Sequence, residues 1–260
     1  MQVSFLNHTK PLLTNMIQVT NPEDCIITAK NAIYDGADAF GFQICRFDPK
    51  YRTQEIFKRM FAAMGYRPIY ITNYRQGFNE SMTDEERMDG LLDGLRAGAT
   101  LGDIMGDTFD PSPMELTRKP SAVDMQKRLI DKIHGMGKEV LMSSHIYKFL
   151  PAEQVLEIAY AQQERGADIV KIVTGGASEE EELENLRITA MLKKELKVPY
   201  LFLSTGTHYK LHRMIGPMLG CVMYLCVQQH DALSSKSQPI LKSVRSVFEN
   251  IDYMPDIEAE

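Results

Sequence analysis

One lysine in this chain lies inside an apolar run that is otherwise typical of a strand buried on both faces. The run reads IVKIV over residues 169–173, with Lys171 at its centre. Apolar surroundings disfavour the charged form of an amine, so such a lysine is nucleophilic nearer neutral pH. It can attack a ketone or aldehyde to give a carbinolamine and then an iminium. Lys171 is therefore the candidate Schiff-base nucleophile; the alternative is a packed stem whose ammonium reaches water.

A histidine that can move protons ends the apolar run before the one that carries Lys171. His145 follows two serines there. Histidine suits general acid–base catalysis at neutral pH, which contributes about two to four powers of ten in rate. We expect His145 to serve the lysine chemistry, against the alternative of a hydrogen-bonded histidine at a strand end. Ser144 is not expected to form a triad with it, because neighbouring strand residues point to opposite faces.

Two arginines follow other apolar runs and are candidates for binding a carboxylate. Arg75 comes after the third run and Arg213 after the seventh. A guanidinium presents a planar fork of donors that matches the two oxygens of a carboxylate. The alternative for each is a surface salt bridge. The remaining histidines show no metal-ligand spacing, and the four cysteines, which lack CxxC spacing, are predicted to be reduced core thiols.

These side chains need a scaffold that brings the ends of strands together. Apolar, β-branched runs alternate with longer amphipathic segments, which is typical of repeated strand–helix units and a parallel sheet. We predict strands over residues 12–19, 39–45, 68–73, 100–105, 139–144, 169–174, 199–204 and 221–227. We predict helices over residues 23–34, 53–64, 84–97, 122–136, 151–165, 178–196, 210–218 and 238–250. This order favours a single (β/α)8 TIM barrel over residues 1–260, with a doubly wound open sheet as the alternative.

Two further segments have expected roles. The loop over residues 109–120 contains three prolines and follows the fourth strand, at the end of a barrel where sites are built, so it is a candidate lid. The eighth helix is apolar along one side. That side can pack on the barrel or form a homodimer interface, and packing is the default expectation.

Composition excludes several classes of function. The 260 residues are 44% hydrophobic and 25% charged, which suits one large core. A formal net charge of -6 provides no basic field for nucleic acid or anionic lipid. The first residues do not resemble a signal peptide, and no apolar run approaches the roughly 18 residues of a membrane span. We expect a cytoplasmic protein that binds a small molecule, and neither nucleic acid nor membrane.

The second half of the chain resembles the type I 3-dehydroquinate dehydratases, (β/α)8 enzymes of the shikimate pathway that form a Schiff base. The segment VLMSSH over residues 140–145 resembles the family strand with the acid/base histidine, and VKI over residues 170–172 resembles the lysine strand. The segment LSTG over residues 203–206, followed by Arg213, is similar to the region whose arginine grips the substrate carboxylate. The segment SKSQ resembles the final loop, which implies that Ser235 and Gln238 bind substrate hydroxyls.

In the first half of the chain the resemblance is weaker. Residues 68–75 resemble the family's third strand, which implies a substrate-binding role for Arg75. The family has a Glu-x-Arg-x-Asp pattern at the end of strand two. Residues 46–48 match its second half, and Gln43 or Ile44 stands where the glutamate belongs. Gln43 and Arg46 are thus candidate substrate-binding residues in a site that lacks one family carboxylate.

A second departure lies on the fourth strand. The family pattern Asp-x-Glu is Asp103-Ile104-Met105 here, so a thioether replaces the carboxylate that would orient His145. A histidine without that partner loses orientation and stabilisation of its charged form. Asp107, two residues further on, is a candidate substitute.

Three functions are consistent with these residues. The first is a lyase in which Lys171 condenses with the C3 ketone of 3-dehydroquinate, His145 moves protons and Arg213 anchors the carboxylate, without a metal or organic cofactor. The second is a class I aldolase that acts on a different keto acid or carbonyl compound through the same lysine, which the missing carboxylates motivate. The third is a non-catalytic barrel in which Lys171 and Arg213 hold an anion.

Overall fold

The computed structural model describes residues 3–6 and 8–251, and within these ranges eight strands alternate with eight α-helices. The strands are β1 (Leu12–Ile17), β2 (Ala39–Gln43), β3 (Ile69–Thr72), β4 (Leu101–Met105), β5 (Glu139–His145), β6 (Ile169–Gly176), β7 (Tyr200–Gly206) and β8 (Met223–Cys226). The helices are α1 (Pro22–Tyr34), α2 (Gln54–Ala62), α3 (Asp84–Arg96), α4 (Pro120–His134), α5 (Ala152–Glu164), α6 (Glu179–Glu195), α7 (Lys210–Ile215) and α8 (Leu241–Ile251). The predicted succession of units is confirmed. Met1 and Gln2, considered above for a leader sequence, lie outside the described residues.

In the described part of the chain the strands form one parallel sheet that curves into a (β/α)8 barrel. Consecutive strands from β1 to β7 are hydrogen-bonded neighbours, and β8 pairs with β1. Strands β7 and β8 meet just before β8 begins, where the N–H of Val222 donates to the carbonyl of Tyr200 at 2.9 Å. The predicted barrel is therefore confirmed, and the open doubly wound alternative is wrong.

Local sequence explains where several helices begin and end. Asn21 caps α1 by accepting a hydrogen bond from the N–H of Asp24 at 2.9 Å. Thr83 caps α3 through a capping box with Glu86, in which each side chain binds the other's backbone N–H. Gly166, after α5, has a φ of 99°, a conformation that strains any residue with a side chain. These signals are local, so they can be recognised in the sequence.

Boundaries differ from the prediction where tertiary contacts intervene. Strand β6 continues to Gly176 because its last residues pair with β7, Gly176 opposite Gly206. Helix α8 begins at Leu241 rather than at residue 238. The chain before it is used in the sheet, since Val227 donates to the carbonyl of Pro239 and accepts from the N–H of Leu241. Pairing across the barrel thus takes precedence over helix propensity.

The apolar side of α8 packs on the barrel. Leu241 and Val244 are fully buried, and the ring of Phe248 meets that of Tyr224 edge-on at 6.2 Å. This accounts for the apolar pattern of the helix without a second chain. The cysteines are buried and unpaired. Across the described ranges, none of the helices combines the length and hydropathy that crossing a membrane requires.

We predict that Thr83→Ala lowers the free energy of unfolding by about 1 kcal/mol, because the backbone N–H of Glu86 in the first turn of α3 loses the hydroxyl oxygen that accepts its hydrogen bond. Urea denaturation measures the change. Thr53→Ala is the matched control, since Thr53 caps α2 without a reciprocal glutamate and its hydrogen bond is longer, at 3.3 Å. A midpoint for Thr83→Ala equal to that of the wild type would contradict the prediction.

Candidate functional site

The carboxyl ends of the strands surround a cavity of about 580 Å³. Alternate strand residues face it, as the pleat requires, for example Lys171 and Val173 on β6. The cavity brings together every residue proposed above for the site: Lys171, His145, Arg213, Arg75, Gln43, Arg46, Ser235 and Gln238. The prediction that strand ends collect these side chains at one mouth agrees with this placement.

The amine of Lys171 lies among polar groups although the residue is only 4% exposed. Its Nζ is 2.5 Å from the hydroxyl of Tyr74, 2.9 Å from that of Tyr70 and 3.2 Å from Oδ2 of Asp103. Asp103 is itself buried and accepts hydrogen bonds from both phenols and from Ser143. The expectation of purely apolar surroundings is therefore wrong. Lys171 is held in the barrel interior, where polar side chains from β3 and β4 meet its amine.

Burial nevertheless controls the ionisation of this cluster. Removal from water lowers the pKa of the Lys171 amine, and the attraction of Asp103 only partly offsets this. Burial works to raise the pKa of Asp103, but the charge of Lys171 and the hydrogen bonds it accepts bring that pKa below its ordinary value. Burial, followed by the Asp103 charge, raises the pKa of Tyr70 and Tyr74. Both phenols are consequently protonated donors at neutral pH.

The imidazole of His145 is fixed by Glu115, a residue of the loop that follows β4. Oε2 of Glu115 lies 2.8 Å from Nδ1 of His145 and 2.8 Å from its backbone N. Because a carboxylate only accepts hydrogen bonds, Nδ1 carries the proton and Nε2 is left for a ligand. The ring of Tyr74 meets the imidazole edge-on at 5.0 Å, and Tyr147 stacks against it at 6.2 Å. The side chain that the sequence predicts to move protons is thus held in one tautomer and orientation.

Glu115 occupies the role that the sequence suggested for Asp107. Asp107 instead accepts hydrogen bonds from Arg75 at 2.7 Å and from the N–H of Ser112 at 2.8 Å. The expectation that Asp107 replaces the missing carboxylate beside His145 is therefore wrong. Met105, where the family pattern has a carboxylate, lines the cavity as a thioether. A carboxylate does reach His145, but it arrives from a loop ten residues further along the chain.

The loop that carries Glu115 is anchored, which argues against the lid interpretation. Leu116 is buried, and the N–H of Thr117 donates to the carbonyl of Gly106 at 3.1 Å. Gly106 allows a close approach, since a Cβ there would lie 2.5 Å from the carbonyl oxygen of Glu115. Arg165, from the end of α5, donates to the carbonyls of Gly106 and Thr117. These contacts set the position of the Glu115 carboxylate.

Arg75 reaches the cavity with most of its donors already occupied. Its Nε and Nη2 bind the carboxylate of Asp84 at 2.9 and 2.6 Å, and its Nη1 binds Asp107 at 2.7 Å. Burial works to lower the pKa of Arg75, and these two carboxylates outweigh it. Asp84 also binds Arg87 and the N–H of Phe109. These ion pairs tie β3 to the loop after β4 and leave Arg75 few donors for a substrate carboxylate, so its role in substrate binding stays a prediction.

Arg213, on α7, is buried but keeps an unused donor. Its Nε donates to the carbonyl of Ser204 at 2.6 Å, whereas Nη1 has no hydrogen-bond partner among the described residues. Burial lowers its pKa to about 10, so the guanidinium remains charged at neutral pH. A buried cation with a free donor beside a cavity is suited to an anionic ligand.

Strand β2 and the turn that follows it contribute two of the remaining candidate substrate-binding residues. Gln43 is its last residue and is nearly buried. Arg46 ends the following 3-10 turn, and its Nε is buried without a partner in the part of the chain that the structure describes. Ile44, the other residue considered for the glutamate position, is packed in the outer core. Gln43 is therefore the residue that stands at the cavity in place of a carboxylate.

The loop before α8 contributes two more candidate substrate-binding residues, Ser235 and Gln238. The N–H of Ser235 donates to the side chain of Gln18 at 2.7 Å, which fixes the loop to the residue just after β1, and Oγ of Ser235 lies 3.0 Å from that of Ser237. Oε1 of Gln238 is buried and lacks a hydrogen-bond partner within the described ranges. Hydroxyl and amide groups placed in this way suit the hydroxyls of a ligand.

Sequence reasoning missed Tyr70, Tyr74 and Glu115, and it matched Asp103 to the family pattern on the fourth strand without giving it a role in the site. Tyr70 and Asp103 are inward-facing members of apolar strands, so strand alternation relative to Lys171 was a usable signal. Tyr74 lies just beyond β3, four residues after Tyr70, which keeps it on the same side. No periodic signal marks Glu115, because its loop is irregular and its φ of 43° is unusual for a residue other than glycine.

Comparisons with known proteins agree with this geometry. A family model described as Type I 3-dehydroquinase matches residues 16–254. Curated relatives include the 3-dehydroquinate dehydratases of Aromatoleum aromaticum, 26% identical over 128 residues (49% of this chain and 45% of the relative), and of Geobacillus thermodenitrificans, 27% identical over 113 residues (43% of each). The chain therefore covers less than half the length of these relatives.

Solved structures extend the likeness of fold to nearly the whole chain. A 3-dehydroquinate dehydratase from Geobacillus kaustophilus aligns with a TM-score of 0.78 at 19% identity, covering 95% of this chain and 93% of that one. A type I 3-dehydroquinate dehydratase from Clostridium difficile, with covalently modified comenic acid, aligns with a TM-score of 0.78 at 17% identity, covering 96% of each. Both have the barrel fold described above.

We predict that Glu115→Ala moves the proton of neutral His145 from Nδ1 toward Nε2, because the carboxylate that holds the Nδ1–H is lost. Long-range ¹H–¹⁵N NMR correlations report the tautomer, and comparison with His145→Asn assigns the resonances. Asp110→Ala is the matched control, a carboxylate on the same loop that binds Thr117 instead. An unchanged tautomer in Glu115→Ala would show that Glu115 does not position the imidazole.

Proposed function

Since the chain belongs to the type I 3-dehydroquinase family, we propose that it is a Schiff-base-forming carbon–oxygen lyase that converts 3-dehydroquinate to 3-dehydroshikimate and water. One observation carries the proposal: a buried amine with a lowered pKa opens into the same cavity as a carboxylate-held histidine and a buried arginine with a free donor. Nucleophile, proton carrier and carboxylate anchor are the three groups that such a reaction needs.

In this proposal Lys171 attacks the C3 ketone and forms an iminium. The iminium withdraws electrons and acidifies the adjacent C–H. His145 takes that proton at Nε2, because Glu115 keeps the other nitrogen protonated. The electron pair then forms the new C=C bond, and the hydroxyl on the next carbon leaves as water with a proton from the imidazolium. Hydrolysis of the iminium releases the product and restores Lys171.

The remaining groups orient the substrate. Arg213 binds the carboxylate of the substrate through Nη1. The substrate thereby supplies the hydrogen-bond partner that this buried donor lacks among the described residues. Gln238 and Ser235 bind ring hydroxyls from the loop before α8. Gln43 and Arg46 contact the substrate from the β2 side. The substrate class is a small ketone that bears a carboxylate, and the proposed steps use no cofactor.

Family membership favours this lyase over the aldolase and the non-catalytic barrel. The aldolase was motivated by two missing carboxylates, and Glu115 supplies one of them to His145 from another position. A barrel that merely holds an anion has no need for a carboxylate-oriented imidazole beside the buried amine. Both alternatives are nevertheless distinct outcomes of the experiments below.

Borohydride reduction in the presence of 3-dehydroquinate is expected to add the mass of the substrate-derived adduct to Lys171, because reduction makes an iminium permanent. Peptide mass spectrometry locates the adduct, and Lys171→Met is expected to remove both adduct and activity. The conjugated enone of the product absorbs in the ultraviolet and measures turnover. Adduct without enone would favour an aldolase; neither adduct nor enone would favour binding alone.

Arg213→Lys is expected to raise KM for 3-dehydroquinate about 10-fold to 100-fold, the loss of about 1.5–3 kcal/mol for a hydrogen bond to a charged group. Arg75→Lys is the matched comparison. Because its donors are bound to Asp84 and Asp107, we expect it to lower thermal stability more than substrate affinity. A larger KM effect for Arg75→Lys than for Arg213→Lys would reverse the assignment of the carboxylate anchor.

A further inference from the structure

Two phenols contact the Lys171 amine and line the cavity, and they differ in their exposed fraction. Tyr70 is fully enclosed in the barrel interior, whereas Tyr74 is 9% exposed. The ring of Tyr74 also lies against the imidazole of His145, with centroids 5.0 Å apart. Tyr74 therefore contacts the amine and lines the cavity in which a substrate carbonyl must lie.

The hydroxyl of Tyr74 connects the amine with a carboxylate. It is 2.5 Å from Nζ of Lys171 and 2.5 Å from Oδ2 of Asp103. The direct distance from Nζ to Oδ2 is longer, at 3.2 Å. Two short hydrogen bonds in series form a continuous path for a proton from the ammonium to the carboxylate.

Iminium formation requires one proton to be removed and one to be delivered. The Lys171 ammonium must lose one before it can attack a carbonyl, and the carbonyl oxygen must gain one before it leaves as water. A group that stores the proton between these steps, in contact with the amine, satisfies both demands without solvent. Asp103 is buried and in contact with the amine, so it is suited to store that proton.

We propose that Tyr74 is a catalytic residue for iminium formation, relaying a proton from the Lys171 ammonium to Asp103 and returning it to the departing oxygen. The relay rests on the proposed function. It assigns the proton transfers of that reaction to two pairs of residues. The pair of Tyr74 and Asp103 serves iminium formation. The pair of His145 and Glu115 serves the elimination that follows.

The steps of the relay balance. First, an N–H bond of the ammonium breaks, its proton joins the phenol oxygen of Tyr74, and the phenol's own proton passes to Asp103. The neutral amine then attacks: a C–N bond forms, and the carbonyl oxygen takes a proton from that nitrogen to give a carbinolamine. Finally Tyr74 protonates the hydroxyl, Asp103 returns its proton to Tyr74, the C–O bond breaks and the nitrogen lone pair forms the C=N bond. The products are water, an iminium cation and the Asp103 carboxylate.

The charges around the amine are consistent with internal transfer. Every strand or loop packed against Lys171 contributes to its setting, and the titratable and charged groups that face it or act on its charge are Tyr70, Tyr74, Asp103, Glu115, His145 and Arg213. Burial lowers the pKa of the amine, which favours release of its proton, whereas the Lys171 charge and the accepted hydrogen bonds lower the pKa of Asp103. Asp103 therefore holds the proton only transiently and returns it readily. Both phenols keep their protons at neutral pH, so Tyr74 can pass one on while receiving another.

The test compares Tyr74→Phe with Tyr70→Phe in the 260-residue chain. Each variant removes one hydroxyl that contacts both the amine and Asp103, and each keeps its ring. The rate at which borohydride traps the 3-dehydroquinate adduct on Lys171 is followed by intact mass between about pH 6 and about pH 8. We expect Tyr74→Phe to slow trapping about 100-fold. Tyr70→Phe also removes a contact to the amine and to Asp103, so we expect it to slow trapping by a smaller factor and to keep the pH profile of the wild type.

The pH profile is a second readout that a merely structural role would not move. The wild type is expected to show a shallow profile, because the proton stays within the cluster. In Tyr74→Phe the rate is expected to rise with pH, since the amine must then lose its proton to solvent. Equal slowing by the two variants, or wild-type trapping in Tyr74→Phe, would overturn the relay. Absence of any adduct in the wild type would instead refute the proposed function.

A measurement on the wild type keeps the relay testable if a variant fails to fold. In mixtures of H₂O and D₂O, two protons moving together give a trapping rate that depends non-linearly on the deuterium fraction. A linear dependence indicates that a single proton moves in the rate-limiting step of trapping, and it would contradict transfer through Tyr74.

Discussion

A lysine and an aspartate that are both buried share the interior of this barrel, and the arrangement around them follows from the need to stabilise two charges away from water. Removing one partner of such a pair costs about 3–5 kcal/mol, because the other charge is left without compensation. Asp103 therefore collects donors from Tyr70, Tyr74 and Ser143 in addition to Lys171. Strand register brings these groups close together, since Lys171 on β6 pairs with Ser143 on β5, and Ser143 pairs with Met105, two residues after Asp103 on β4.

The site contains two pairs of a carboxylate and a proton-bearing group, and they are supported differently. Lys171 and Asp103 lie on strands, whose pleat and pairing hold them rigidly. His145 lies at a strand end, but its partner Glu115 lies on a loop. That loop is held by the carbonyl contacts of Arg165 and by a charge network centred on Asp84. Side chains that touch no ligand thus determine the tautomer of the imidazole.

The departures from the family pattern have different consequences. Loss of a carboxylate at Met105 does not leave His145 without one, because Glu115 reaches the same imidazole from outside the strand. At Gln43 a neutral amide stands at the cavity, near an arginine whose Nε is buried without a partner in the described residues. The cavity consequently keeps its capacity for general acid–base chemistry while its β2 side differs in charge from the family pattern.

Strand–helix alternation and helix caps are encoded in short stretches of chain, so the barrel and the inward placement of Lys171, His145 and Arg213 were predictable from the sequence. The polar surroundings of Lys171 were not, because they come from β3 and β4, separated from it by more than sixty residues. The role of Asp107 was also misjudged, since residue type alone does not show that this carboxylate binds Arg75 rather than His145. Glu115 depends on the folded path of an irregular loop. Local propensity and periodicity determine the elements, whereas the pairing of buried charges is decided only when distant strands and loops meet.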